Sequence, residues 1–281
     1  MLNFHLFKVK VYPSKQISLF DKEKSPSEIL RETILSFPSA ELRKGKVWHI
    51  GNVTSIDNFG MYFRVGRMVK SKIEIYQNGN FLDEQFESAP YTHGLLDVDL
   101  ELFAIAKKTR LSPKPKGIAN QLVRLLNQSE KGRQLEARFE ISEINDPEDF
   151  ITHIRKAYLI SKFWITFSRP NPFDSDDFIK PMEKLLTSVN GERGKAELQG
   201  ENLNVERIEN MARSAATTGE DAGALLQIEP QVRKVRKKLR GNPVVLLKED
   251  LLNEKDMDHL IQQMREVYNK LRGIIEKGYE E

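Results

Sequence analysis

The run from His93 to Asn127 constrains this chain most. Apolar residues alternate at Leu96, Val98, Leu100 and Leu102, then continue unbroken through Phe103, Ala104, Ile105 and Ala106. That pattern predicts one strand whose last residues are buried on both faces. Lys107, Lys108, Arg110, Lys114 and Lys116 follow in a short segment punctuated by Pro113, Pro115 and Gly117. Beyond it Ile118, Leu122, Leu125 and Leu126 share one stripe of a helix. A buried strand that feeds a helix belongs in a layered fold. Here the connection sets five cations beside a helix N-terminus, where N–H groups and the dipole already favour an anion.

Charge is distributed unevenly. The net charge is only +3 over 281 residues, yet residues 107–126 carry six basic and no acidic groups, and residues 231–240 repeat that count. The second window holds Arg233, Lys234, Arg236, Lys237, Lys238 and Arg240. Read as a strand, it sets Arg233 and Lys237 on the face of Val235 and Leu239, so neither face buries fully and an edge strand or loop results. Focused positive charge against a neutral-to-acidic remainder suits a phosphate-bearing partner. Solvated loops or an acidic protein partner are the competing explanations.

The flanking segments predict an α+β (mixed α/β) fold with three parts. Residues 1–106 form a β-rich region with one N-terminal helix. Phe4, Leu6, Val9 and Val11 alternate in a first strand, and Ser25, Pro26 and Glu28 make a capping box for a helix that turns Ile29, Ile34 and Leu35 to the core. Strands then follow as an antiparallel meander, with Asn78-Gly79 as a hairpin turn. Residues 107–252 alternate strands and helices in a layered α/β region. In it Asp146 and Pro147 open one helix, and Asn204 and Gly219 bracket another. Residues 253–281 form a C-terminal helix. Its Met257, Leu260, Met264, Val267, Leu271 and Ile274 keep a three-four spacing, which fits either packing on its own domain or a homo-oligomer or partner contact.

Several function classes are excluded. No run of 18 apolar residues exists, and the start alternates instead of presenting a signal peptide's apolar region, so no membrane association is expected. There is no cysteine, which removes disulfides and thiolate metal sites and fits the cytoplasm. His5, His49, His93, His153 and His259 are not paired at ligand spacing, so no metal is expected. Neither a Walker lysine motif nor a dinucleotide fingerprint is present, and no cofactor is expected. Asp174, Asp176 and Asp177 resemble part of a calcium loop but lack its glycine and closing glutamate. Asp97, Asp99 and Glu101 stand two residues apart, and on one strand face they could hold Mg²⁺ for phosphodiester hydrolysis. An exposed strand face alternates polar residues anyway, so that spacing alone does not make a nuclease. His49, beside Trp48, could contact a base.

The segments SPSEILRETI, WHIGNV, AIAKKTRLSPKPKGIANQLVRLLN, FEISEINDPEDFI, ITFSRPNPF, RSAATTGEDA and RKKLRGNP together resemble an uncharacterised bacterial family known as a domain of unknown function. It is similar in organisation to accessory proteins of phage-defence and mobile-element loci. The resemblance implies a bacterial cytoplasmic protein with an antiviral role, and supplies no catalytic residues. The expected function is nucleic-acid binding, DNA or RNA, with phosphate contacts from Lys107, Lys108, Arg110, Lys114 and Lys116 and from the six cations of Arg233–Arg240. A metal-dependent nuclease, or a regulatory or scaffold protein acting through the last helix, is the alternative.

Overall fold

The computed structural model describes residues 2–13, 24–168, 179–248 and 254–273. It divides into two compact units: Met1–His5, Val9–Ile141 and Leu247–Asp258 in the first, and Leu6–Lys8, Ser142–Leu246 and His259–Glu281 in the second. Helices and strands mix throughout, and the first part is rich in strands, as the patterning predicts.

The first unit holds most of β1 (Leu2–Tyr12), then α1 (Pro26–Leu35), β2 (Ser39–Arg43), β3 (Lys46–Ser55), β4 (Gly60–Arg67), β5 (Val69–Gln77), β6 (Asn80–Ser88), β7 (Tyr91–Asp97), β8 (Leu102–Ala106), α2 (Pro115–Gln128) and α3 (Glu130–Gln134). The capping box of α1 is formed. Ser25 Oγ accepts from Glu28 N, and the Ser25 amide donates to Glu28 Oε2 at 2.7 Å. Ile29, Leu30 and Ile34 are buried, whereas Leu35, expected inside, is exposed on the last turn.

The unit's main sheet runs in the order β1-β8-β7-β4-β3-β2. It corrects the predicted meander in two places. β4 pairs with β7 directly, from Gly60↔Asp97 to Gly66↔Tyr91, so β5 and β6 leave the sheet and pair only with each other among the described residues. The Asn78-Gly79 turn forms as expected, with both residues at positive φ. The second correction concerns the central strand, which is two antiparallel strands, β7 and β8, joined by a turn at residues 98–101.

The second unit contains β9 (Arg138–Glu143) from Ser142 on, α4 (Glu148–Lys156), β10 (Leu159–Ser168), α5 (Lys180–Ser188), β11 (Arg193–Gln199), α6 (Val205–Thr218), β12 (Ala222–Gln227), β13 (Val235–Lys238), the start of β14 (Val245–Lys248), and α7 (Glu254–Arg272) from His259 on. Asn204 Oδ1 accepts from Arg207 N at 2.9 Å to start α6, and Gly219 ends it in the left-handed region at φ 70°. A four-stranded sheet of order β11-β10-β12-β13 is its frame. Strand alternation splits that sheet cleanly. Phe163, Ile165, Ala222, Ala224 and Leu226 turn to one side and form a core with Phe150 and Ile154 of α4 and Ile208, Met211, Ala212 and Ala215 of α6. Lys162, Trp164 and Thr166 turn to the other.

An ion-pair group ties α4 to α6. Glu209 takes both Arg155 and Arg213, the Arg213–Glu209 pair at 3.0 Å, and Arg213 also meets Glu148 at 2.8 Å. Burial alone would raise the Glu209 carboxyl, but the hydrogen bonds from Arg155 and Arg213 outweigh it and hold the group below the ordinary carboxylate range.

The apolar stripe of α7 is filled within the chain. Leu260, Ile261, Met264 and Tyr268 are all buried, while Met257, Val267 and Leu271 are partly covered. The Lys8 ammonium lies 5.7 Å from the Tyr268 ring centre. Of the two explanations for the three-four spacing, packing on its own fold accounts for these residues. Ile274, and the aspartates Asp174, Asp176 and Asp177, lie outside the described residues.

Candidate nucleic-acid interface

The first basic window is exposed, as its composition predicts. Lys107, Lys108, Arg110, Lys114 and Lys116 all reach solvent between β8 and the first turn of α2. Lys114 is the N-cap residue of α2 and makes no side-chain capping bond, and no acidic residue stands in the first turn. Cations at the positive end of a helix are unfavourable neighbours. This end therefore contributes little to stability by itself and is poised to gain from an anion.

Neighbouring strands extend this window in ways that the sequence spacing does not reveal. Arg67 Nη2 donates to the Arg110 carbonyl at 3.2 Å. Arg64 lies 4.6 Å from the centre of the half-exposed Tyr91 ring, and the pairing of Arg64 with His93 and Gly66 with Tyr91 puts these side chains on one sheet face. Arg64 Nε can only donate, so the Tyr62 oxygen accepts it at 3.0 Å and its hydrogen is free for His93 Nδ1 at 2.8 Å. Desolvation, then the charges of Arg64 and Lys108, lower the His93 pKa. That direction favours the neutral ring, which can accept the Tyr62 hydroxyl at Nδ1. Trp48 is buried in the core and its ring offers no stacking surface, while His49, on the opposite strand face, is partly buried.

The second basic window is the edge strand β13, and the structure sorts its cations. Arg236 pairs with Leu225 and Lys238 with Gly223, while Lys237 pairs with Ala224 on the register of the apolar core. Arg236 and Lys238 accordingly join the polar face with Trp164, and Lys237 is turned to the other side, half-buried. Arg233 and Lys234 are exposed just ahead of the strand. Arg240 follows it, at a point where the Asp146 amide donates to the Asn242 carbonyl at 2.9 Å.

Arg236, Lys238 and Arg240 border a cleft of about 540 Å³ that is also lined by Trp164, Thr166 and Lys195, with Asp221 and Asn145 at its side. The Arg236 guanidinium lies 4.5 Å from the Trp164 ring centre. Gly223, the strand partner of Trp164, makes this possible. A Cβ there would overlap the six-membered ring of Trp164 and the Lys237 carbonyl. At one end Thr166 Oγ donates to Glu220 at 2.8 Å and accepts from the Asp221 amide at 2.8 Å, which fixes the floor. Along β11 and β10 the Glu197 carboxylate takes Lys162 at 2.7 Å and Lys195 at 3.7 Å. Trp164, Thr166 and Lys195 are the site residues that sequence patterning does not single out. Their signal is the polar phase of KFWITFS, where Lys162, Trp164 and Thr166 alternate with Phe163, Ile165 and Phe167.

The carboxylates Asp97, Asp99 and Glu101 do not share a strand face. β7 ends at Asp97, whose buried Oδ1 accepts the Asp99 amide at 3.0 Å and the Leu100 amide at 2.8 Å, and Glu101 closes the turn at φ 48°. A side-chain acceptor that bonds the amides two and three residues on makes an Asx-type turn. The apolar residues Val98 and Leu100 carry the alternation through that turn and disguise it. Among the described residues no group of three His, Cys, Asp or Glu is placed to hold a metal ion. Asp97→Ala should lower the unfolding free energy by about 1–3 kcal/mol, because two amide donors lose a buried acceptor. Urea denaturation measures this, and an unchanged midpoint would show that the turn is held by other bonds.

A family described as Domain of unknown function (DUF4747) matches residues 16–238 of the chain. This meets the expectation of a domain-of-unknown-function family. No curated protein matches the chain. Among the described residues no helix is long and apolar enough to cross a membrane.

Proposed function

This chain belongs to the DUF4747 family, and we propose that it is a nucleic-acid-binding protein that contacts phosphates through two basic surfaces, in a bacterial phage-defence setting. The observation that carries the reading is the cleft on the polar face of the β11-β10-β12-β13 sheet. Arg236, Lys238 and Arg240 line it and make no ion pair among the described residues. A charged edge strand also guards against edge pairing. That role needs charge anywhere along β13, and it does not account for an arginine laid over a tryptophan in a concave surface. The cluster of Lys108, Arg110, Arg64 and Arg67 beside Tyr91 supports a second contact surface of the same chemistry. The defence setting rests on the resemblance of the quoted segments to accessory proteins of such loci. Phosphate contacts fix position without choosing bases, so binding is expected to be largely independent of sequence.

Fluorescence anisotropy with mixed-sequence DNA and RNA over a salt series tests this. Counterion release lowers log affinity with log salt by about 0.9 per duplex phosphate contacted, so roughly five contacts give a slope of about −4 to −5. Lys114→Gln with Lys116→Gln should flatten the slope by up to about 2 and leave folding unchanged. Absence of binding to either polymer at about 50 mM salt, where such contacts are strong, would overturn the reading in favour of a protein partner.

A further inference from the structure

We infer that the cleft over Trp164 binds single-stranded nucleic acid, with an unpaired base stacked on the Arg236 guanidinium. The inference rests on the nucleic-acid reading above and adds the form of the ligand. The inner side of that guanidinium lies on the Trp164 ring, and the Arg236 side chain is exposed to the cleft. Arginine planes and aromatic rings are the groups on which proteins stack splayed bases. Here the guanidinium carbon already sits over the ring, 4.5 Å from its centre, because Gly223 leaves room for the indole. Arginine held against a ring loses less side-chain freedom on binding than a free one. Lys195, Lys238 and Arg240 stand around the same layer, as a sugar–phosphate backbone passing the stacked base requires. A cleft of about 540 Å³ is a small-ligand volume, enough for a base and its neighbouring phosphates and far from enough for a duplex. In a duplex both faces of every base are covered by neighbours, so only an unpaired base can present a face to Arg236.

The test compares three probes on the full chain: a single-stranded oligonucleotide, an abasic oligomer of the same length and charge, and the corresponding duplex. Base stacking should make the first bind about five- to a hundred-fold tighter than the second. Arg236→Lys keeps the charge and removes the plane, so it should erase that gap while leaving the salt slope unchanged. A thermal melt of Arg236→Lys checks that the fold is intact, and Trp164→Leu, at a position packed against Gly223, should narrow the gap in the same direction. Equal affinity for the intact and abasic oligomers, or an Arg236→Lys variant that keeps the gap, overturns stacking and leaves the phosphate reading standing. A duplex that binds tighter than the single strand at equal salt overturns the single-strand assignment. Failure of all three probes to bind overturns both this inference and the proposed function.

Discussion

Met264→Asp is expected to destabilise the protein by several kcal/mol, because the Met264 side chain is completely buried and a lone carboxylate there has no partner. Total stability of a domain is typically about 5–15 kcal/mol, so the loss takes away a large share of it. At roughly 2–4 °C per kcal/mol for a chain of this size class, the melting temperature should fall by about 10 °C or more. Met264→Leu, nearly equal in volume, should cost less than about 1.5 kcal/mol. The same pair separates two roles for the last helix. If its stripe joined two chains, Met264→Asp would halve the mass in solution and leave the monomer's melting behaviour intact. Thermal melts together with mass in solution decide the matter, and a stably folded, smaller species would show that α7 is an intermolecular element.

The second large effect concerns the cleft. Arg236→Gln, Lys238→Gln and Arg240→Gln together should flatten the salt slope on single strands by roughly 2 and lower single-strand affinity by about two orders of magnitude near 0.1 M salt. Lys237→Gln should do far less, although it removes a charge from the middle of the same run. Its register with Ala224 turns it away from the cleft. Folding should be unchanged in the triple variant, since all three side chains are exposed. The measurement is anisotropy over a salt series on one mixed-sequence probe. A Lys237→Gln loss as large as that of its neighbours would mean that the window acts as a flexible charge run, without the strand's alternation.

Local chemistry was the part of this fold that the sequence carried openly. Ser25 and Glu28, Asn204 and Gly219, and Asn78-Gly79 each specify their cap or turn through atoms a few residues apart, and each does so in the structure. Strand pairing is different, because alternation shows that a segment is a strand and not which strand it meets. Nothing in KIEIY or FLDEQFES reveals that β5 and β6 quit the sheet while β4 and β7 meet across them. The short polar β2 and the five-residue α3 carry too little pattern to be recognised. The cleft was half legible. The charges of Arg233–Arg240 stand out in one dimension, but their usefulness depends on Trp164 and Lys195, brought alongside from about 40 to 70 residues away by the β10–β11 and β10–β12 pairings.

The β5–β6 hairpin also bears on how the chain can change over time. Its ends are secured in the body of the first unit, where the Arg67 amide donates to the Pro90 carbonyl at 3.2 Å and the Met68 amide to the Val47 carbonyl at 2.9 Å. The first bond closes the β4–β7 junction, and the second ties the end of β4 to β3. Ile73, Tyr76, Phe81, Leu82 and Phe86 are exposed on the hairpin, and a two-stranded ribbon of this kind is marginal in water by itself. The ribbon can therefore open, lengthen or shrink at little cost to the sheet beneath it. The exposed Tyr76, Phe81 and Phe86 of this ribbon therefore lie outside the core of the sheet.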